Sequence, residues 1–297
     1  MTPFVRSRAG TALRLMVAAA ALVMMWTGCS STDHGPSTAS PAPRAATAAR
    51  TPASPQLTAV ARDTVAAGTA AYLSIGDSIQ YGCCHDRLRS SGELFRRYLE
   101  QRLNRDVEWI TTAGNDTADE FVHGSGGATP QLARAVSAIQ GLRAAGRPIV
   151  SITLSIGGND YVEVGQKCAA PPCNDIFLQI LERMKPQLDT IYSAIVGAKP
   201  PETPLFVVLY YNASDCGQPG VETSPTELGQ RVWNATIDEA ARRHGAIIVD
   251  AYTPFKGRAC DLIETDDPNY EGYQVLADAY ERAYQALPVE FVTPFQR

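Results

Sequence analysis

Short apolar runs alternate with longer amphipathic stretches along the chain from about residue 58 onward. The apolar runs, which are rich in β-branched residues and predict strands, span 71–75, 107–112, 149–156, 205–210 and 246–250. The amphipathic stretches, which predict helices, span 91–103, 130–144, 176–197, 225–244 and 271–287. Apolar strands separated by helices are typical of a parallel sheet covered on both faces. We therefore expect residues 58–297 to form one three-layer α/β/α domain, with a five-stranded parallel sheet of flavodoxin-like order.

Residues 1–28 have the pattern of a bacterial export signal. Three arginines and no acidic residue accompany an apolar run from Leu15 to Trp26, which is short for a membrane-spanning helix. The small residues before Cys29 resemble a lipoprotein processing site of signal-peptide type, at which Cys29 would be lipidated and become the first residue. Trp26 departs from the leucine usual at that position, and ordinary secretion with Cys29 free or trimmed is the alternative. We expect the protein in the bacterial cell envelope, lipid-anchored to a membrane or otherwise secreted.

Residues 29–57 have the composition of a disordered tether. Of residues 30–57, 21 are Ser, Thr, Pro or Ala, which cannot bury enough apolar surface to fold. The whole chain of 297 residues carries a formal net charge of −5. That balance argues against a nucleic-acid partner bound through a basic face.

Six cysteines remain after Cys29, an even number that in an exported chain favours three disulfides. They are Cys83, Cys84, Cys168, Cys173, Cys216 and Cys260. The third and fourth are close enough in sequence to close a small local loop. The adjacent first pair is expected to bond to the last two cysteines rather than to itself, although the sequence leaves the pairing open. A zinc site competes with this interpretation but fits poorly, because the four histidines are scattered along the chain.

Small and polar residues follow the first three predicted strands. Ser78 comes after Gly76-Asp77 at the end of the first, Gly114 follows the second, and Asn159 follows the third. The carboxyl ends of parallel strands meet at one edge of the sheet, where such sheets carry their working residues. Backbone N–H groups of Ser78 and Gly114, together with the Asn159 amide, would form an oxyanion hole around a hydroxyl nucleophile.

These motifs resemble those of the SGNH hydrolases, also called GDSL esterases and lipases. The resemblance covers residues 70 to about 287 and is carried by the stretch IGDSIQYG at 75–82 and by GGND at 157–160. It implies that Ser78 is the nucleophile and that Ser78, Gly114 and Asn159 are the oxyanion donors. The second motif is looser, and in a different register Asn115 takes the place of the glycine.

The last motif of that family departs from the expected pattern. The family has an aspartate, two residues, and then the histidine that acts as general base before a proline; the matching stretch here, ETDDPNYEGY at 264–273, has Asp267 in the place of the histidine. A serine hydroxyl needs a base near pKa 7, and an exposed aspartate with a pKa near 4 is a much weaker one. Loss of a triad histidine can cost about six orders of magnitude in turnover. The candidate bases are Asp267 in an apolar setting that raises its pKa, His85 and His123.

Three functions are open at this point. The first is a secreted or lipid-anchored serine hydrolase that cleaves carboxylic esters through a Ser78 acyl-enzyme, with no cofactor and no metal. The second is a catalytically silent envelope lipoprotein of the same fold that binds a lipid, a sugar or an acylated polymer. The third is a structural lipoprotein that merely retains the pocket. We favour the first, with a monomeric protein, a small-molecule or polymeric ester as its substrate, and the N-terminal lipid as its contact with a membrane.

Other polar and aromatic residues have simpler interpretations. Asp77 is expected to hold the nucleophile turn, and Asp160 to fix a loop by hydrogen bonding. Tyr210, Tyr211 and Trp233 are expected in the core rather than in an acyl pocket, and the same holds for Trp109, since aromatic residues in strands and helices are mostly buried.

Overall fold

The computed structural model describes residues 69–80, 82, 87–169, 173–264, 266–292 and 295. The proposed signal and tether, Cys29, the cysteine pair at 83 and 84, and His85 all lie outside these residues. Within the described part of the chain, no helix is long and apolar enough to cross a membrane.

Five parallel strands form the central sheet of the described chain. They are β1 (Ala70–Gly76), β2 (Val107–Thr111), β3 (Ile149–Ser155), β4 (Leu205–Leu209) and β5 (Ile247–Asp250). Their order in the sheet is β2-β1-β3-β4-β5, and the predicted three-layer α/β/α fold with flavodoxin-like order is confirmed. Every residue of β1 and β3 is buried, as expected for strands covered on both faces.

The helices of the described chain flank this sheet on both sides. They are α1 (Ser91–Leu103), α2 (Ala118–His123), α3 (Gln131–Ala144), α4 (Gly158–Lys167), α5 (Asn174–Ala198), α6 (Pro225–Arg243), α7 (Tyr252–Phe255), α8 (Ala259–Leu262), α9 (Tyr270–Gln285) and α10 (Val289–Val292). Helices α1 and α9 pack together on one face, and α2 to α6 pack together on the other. The five helices predicted from periodicity correspond to α1, α3, α5, α6 and α9, each within a few residues of the expected ends.

Hydrogen bonds at the helix starts fix where several elements begin. The Ser224 hydroxyl accepts from the Glu227 N–H, with a proline following at the first position of α6. Asn269 accepts from the backbone N–H groups of Glu271 and Gly272 and so begins α9. Just before it, a two-stranded antiparallel ribbon is formed by β6 (Ile263–Glu264) and β7 (Asp267–Pro268). That ribbon carries Asp267, the residue that the sequence motif at 264–273 singled out.

Two disulfides join described cysteines, and one of them corrects the expected pairing. Cys168 and Cys173 bridge the end of α4 to the start of α5, with Cα atoms 5.6 Å apart, as the local-loop prediction required. Cys216 bonds to Cys260, with Cα atoms 5.1 Å apart, so neither bonds to Cys83 or Cys84.

The loop around Asp215 explains this pairing. The Asp215 carbonyl accepts from the Ala259 N–H at 2.8 Å, and its carboxylate accepts from the Gly257 N–H at 2.9 Å. These bonds hold the chain after β4 against the segment that enters α8, which places Cys216 beside Cys260. Long-range loop contacts of this kind leave no signal in the spacing of cysteines.

Candidate active site

A cavity of about 610 Å³ lies at the carboxyl edge of the sheet. Its walls come from the turn after β1, from α4, from the start of α5, from the loop after β4, from α6 and from β7. Ser78, Asn159 and Asp267 all line it. The structure therefore brings together, at the edge where parallel strands end, three of the residues singled out in the sequence.

The Ser78 hydroxyl donates a hydrogen bond to Asp267 Oδ1 at 2.7 Å. Ser78 opens a short 3₁₀ helix, Ser78–Gln80, directly after β1, and Asp267 is the first residue of β7, with 9 % of its surface exposed. The two residues are 189 positions apart in the chain. A carboxylate oxygen thus occupies the position from which a general base acts on a serine hydroxyl.

The ribbon that carries Asp267 is held from two directions. The Tyr211 hydroxyl donates to the carbonyl oxygen of Asp266 at 3.0 Å, and the Asn269 N–H donates to the carbonyl oxygen of Leu262 at 2.8 Å. The Cys216–Cys260 disulfide joins the loop after β4 to the segment that precedes the ribbon. Asp267 is therefore placed by covalent and hydrogen-bonded supports, not by its own strand alone.

The histidines in the described chain lie away from this cavity. His123 ends α2, its side chain is 61 % exposed, and its ring Nδ1 lies 3.2 Å from Asp119 Oδ1 one helical turn earlier. His244 pairs with Asp189 at 3.2 Å. His123 therefore lies at a solvent-exposed helix end and is not among the residues that line the Ser78 cavity. His85 lies outside the described residues.

Asp77 holds the nucleophile turn, as expected. Its buried carboxylate accepts hydrogen bonds from the hydroxyls of Ser155 and Tyr210, and its own N–H donates to the Ser155 carbonyl at 2.9 Å. Burial raises the pKa of Asp77 to about 6; the two hydroxyl donors oppose that rise, and the nearby charge of Asp267 adds to it. Asp77 is thus a positioning residue that acts through the turn it holds.

The Gly114 amide does not fit the role of an oxyanion donor. Its N–H donates to the carbonyl of Gly76 at 2.8 Å and so continues the β1–β2 ladder beyond Thr111. The same carbonyl accepts from the buried Gln131 side chain at 2.7 Å, and that side chain also donates to the Thr112 carbonyl at 2.6 Å.

Gln131 is a site-supporting residue that the sequence did not reveal. Its only visible signal is a polar residue at the start of an amphipathic helix, directly after Pro130. Such a residue ordinarily faces solvent, whereas Gln131 is 1 % exposed.

Asn159 and Asp160 tie the start of α4 to the segment before α2. Asn159 Nδ2 donates to the Asp116 carbonyl at 3.2 Å, and Asp160 Oδ2 accepts from the Ala118 N–H at 2.7 Å. Asp160 thus fixes the loop, as expected, and Asn159 keeps its amide at the cavity wall. Asn159 lines the same cavity as Ser78, and its Nδ2 carries a second N–H besides the one that faces the Asp116 carbonyl.

The buried carboxyl of Asp160 gives a pH-dependent stability prediction. Burial raises its pKa to about 6, only partly offset by the Ala118 N–H and Arg183. A carboxyl that titrates higher in the folded state than in the unfolded state makes the fold less stable as pH rises from about 4 to about 6. The unsubstituted protein should therefore lose stability across that window, whereas Asp160→Asn should not. The free energy of unfolding of Asp160→Asn minus that of the unsubstituted protein should rise by up to about 3 kcal/mol between pH 4 and pH 6. Urea unfolding at a series of pH values measures this difference, and a difference independent of pH would contradict it.

The aromatic residues of the site combine core and cavity roles. Tyr210, Tyr211 and Trp233 are buried, as expected, and they also line the cavity. Trp109 lies elsewhere and donates from its indole N–H to Ser74 Oγ at 2.7 Å. The cavity wall has two further aromatic residues, Tyr161 and Phe177, and neither was singled out in the sequence.

Among the described residues, no group of three or more His, Cys, Asp or Glu side chains is arranged to hold a metal ion.

Comparison with known proteins decides the family. The sequence profile of the GDSL-like lipase/acylhydrolase family matches residues 74–275. The chain belongs to this family. The match takes in both Ser78 and Asp267. No curated protein sequence matches the chain.

Solved structures agree with the GDSL fold at low sequence identity. The lipase Lip_vut3 from a goat rumen metagenome has a TM-score of 0.54 and 19 % identity, covering 72 % of this chain and 97 % of its own. The extracellular lipase from Streptomyces rimosus has a TM-score of 0.50 and 18 % identity, over 72 % and 100 %. The acetylxylan esterase Axe2 from Geobacillus stearothermophilus has a TM-score of 0.50 and 16 % identity, over 79 % and 99 %. At these identities the likeness concerns the fold.

Proposed function

We propose that this GDSL-family protein hydrolyses carboxylic esters through an acyl-enzyme on Ser78, with Asp267 as the general base. The observation that carries the proposal is the 2.7 Å hydrogen bond from the Ser78 hydroxyl to a largely buried carboxylate. The cavity beside that bond gives an ester room to bind, and the Asn159 amide supplies a donor for the developing negative charge.

The chemistry follows from these contacts. Ser78 Oγ attacks the ester carbonyl carbon while its proton passes to Asp267 Oδ1, and the resulting tetrahedral oxyanion accepts hydrogen bonds from the Asn159 amide and from the Ser78 backbone N–H. Collapse breaks the ester C–O bond, and the alcohol leaves with the proton from Asp267. Water then attacks the acyl group by the same route in reverse and releases the acid and free Ser78.

The proposal includes a location at the cell envelope. The leader, Cys29 and the Ser/Thr/Pro/Ala-rich residues 30–57 favour an enzyme held at a membrane by an N-terminal lipid. The proposal takes this enzyme to be a monomer. Such a tether would let the domain reach esters in the envelope. Secretion without the lipid is the alternative, and the mass of the mature N-terminus distinguishes the two.

The activity is tested by measuring the rate at which the exported protein, with its disulfides intact, hydrolyses aryl esters from acetate to octanoate. Ser78→Ala should reduce the rate to the uncatalysed background, because the attacking oxygen is gone. A fluorophosphonate should add to the peptide that contains Ser78 in the parent protein and to no peptide in the alanine variant. A rate unaffected by Ser78→Ala, or no hydrolysis together with no labelling, would overturn the proposal in favour of a silent binding protein.

A further inference from the structure

We propose that the cavity binds the acyl chain of the ester in an apolar chamber between α4, α5 and α6, and that Gly229 sets the depth of this chamber. The inference deepens the proposed function, on which it rests for the reaction at Ser78. It names the substrate class as esters of acyl chains well beyond acetyl.

Three aromatic rings form the wall of the chamber. Tyr161 of α4 packs edge-on against Trp233 of α6 at a centroid distance of 5.3 Å, and Phe177 of α5 packs against Trp233 at 5.7 Å. All three line the same cavity as Ser78. Val162 and Val164 add aliphatic surface from α4, so the chamber offers an apolar chain contacts from three helices.

The polar atoms of these rings are directed to the backbone. The indole N–H of Trp233 donates to the Gly157 carbonyl at 3.1 Å, and the Tyr161 hydroxyl donates to the Thr226 carbonyl at 3.3 Å. These groups are already hydrogen-bonded within the protein. Trp233 is fully buried and packs behind Tyr161 and Phe177, which line the chamber beside it. An apolar chain gains from such a wall, whereas a polar occupant would exchange its hydration for few new hydrogen bonds.

Gly229 leaves space where a side chain would enter the chamber. It lies inside α6, where glycine costs about 1 kcal/mol relative to alanine. A Cβ atom placed there would approach the Tyr161 hydroxyl oxygen at 3.5 Å and Phe177 Cε2 at 3.6 Å. Those are ordinary contact distances, so alanine fits, and a longer side chain would extend between the two rings. A glycine that is unfavourable for its helix thereby keeps the chamber open.

The test compares two substitutions at Gly229 with a matched helical glycine. Gly141 lies inside α3, does not line the cavity, and has no atom within 4 Å of a built Cβ. For each full-length exported protein, kcat/KM is measured on aryl acetate and aryl octanoate. Each buried methylene is worth roughly fourfold, so Gly229→Ala, which adds one carbon, should lower the octanoate-to-acetate ratio by about fourfold. Gly229→Leu, which adds four carbons, should lower it by up to about 250-fold. Gly141→Leu should keep the parent ratio.

Binding of octanoate separates this inference from the proposed reaction. In a Ser78→Ala background, calorimetry should show octanoate bound by the parent and Gly141→Leu proteins, and bound at least tenfold more weakly by Gly229→Leu. If no protein hydrolyses ester but this pattern of binding holds, the proposed reaction fails and the chamber stands. An unchanged ester ratio in Gly229→Leu and Gly229→Ala, or octanoate binding that is absent or insensitive to residue 229, would overturn the inference.

Discussion

Asp267→His is expected to raise kcat for short aryl esters by about 10²- to 10⁴-fold. That range is typical of a positioned general base with a suitable pKa. The carboxylate already contacts the Ser78 hydroxyl, but an imidazole accepts the proton near neutral pH and returns it to the leaving alcohol more effectively. Steady-state kinetics at pH 7 to 8 measure the gain.

The surroundings of residue 267 suit an imidazole. Asp267 lies opposite Glu264 across the β6–β7 ribbon, so the side chain of a second acid starts beside the new ring and can orient it. The ribbon is separate from the central sheet, so a substitution at residue 267 leaves the strand pairing of that sheet intact.

Two further variants make this experiment decisive. Asp267→Asn keeps the size of the side chain and removes its basicity, so it should lower kcat by at least 100-fold. Asp267→His combined with Ser78→Ala should stay at background, which assigns any gain to the Ser78 hydroxyl. Equal rates for Asp267→Asn and the parent protein would show that Asp267 is not the base.

Gly76→Ala is expected to prevent accumulation of folded protein. Gly76 ends β1 at φ +121°, a conformation that residues with a side chain rarely adopt, and an added Cβ would lie 1.7 Å from the Ser155 carbonyl oxygen. Gly76 and Ser155 are paired in the β1–β3 ladder, so neither strand can retreat without breaking the centre of the sheet. We expect Gly76→Ala to lower the free energy of unfolding by more than about 4 kcal/mol, which is a large part of a domain's stability.

Gly141→Ala is the matched control for this clash. Residue 141 is a helical glycine with open space around a built Cβ, and alanine there should raise the free energy of unfolding by about 1 kcal/mol. Urea unfolding followed by circular dichroism measures both variants. A Gly76→Ala protein within 1 kcal/mol of the parent would contradict the close approach of β1 and β3.

The sheet could be predicted because its strands are continuous apolar runs, buried on both faces. The run at 149–156, for example, became a strand of seven buried residues. The short helices α2 and α4 escaped prediction because their sequences are brief and polar, and because glycine precedes or begins α4. Their starts are fixed by side-chain contacts, such as that of Asp160 with Ala118, which exist only in the folded chain.

The candidate site was predictable only in part. Ser78 and Asn159 belong to recognisable motifs, and Asp267 was singled out because the motif around it predicts a histidine at that place. The hydrogen bond from the Gly114 N–H to the Gly76 carbonyl depends on how far the β1–β2 pairing extends. No sequence motif indicates the length of that pairing. The role proposed for Gly229 depends on two rings from α4 and α5, far from it in sequence.

The contact between Ser78 and Asp267 also bears on when the site forms during folding. A hydrogen bond between residues 189 positions apart closes a very long loop, and its entropic cost must be met by the strands and helices that lie between them. A nascent chain that has completed β1, and even the whole sheet, still lacks the carboxylate that accepts from its serine. Reactivity at Ser78 therefore reports the arrival of about the last tenth of the chain, and the unfinished protein passes through synthesis without an assembled nucleophile.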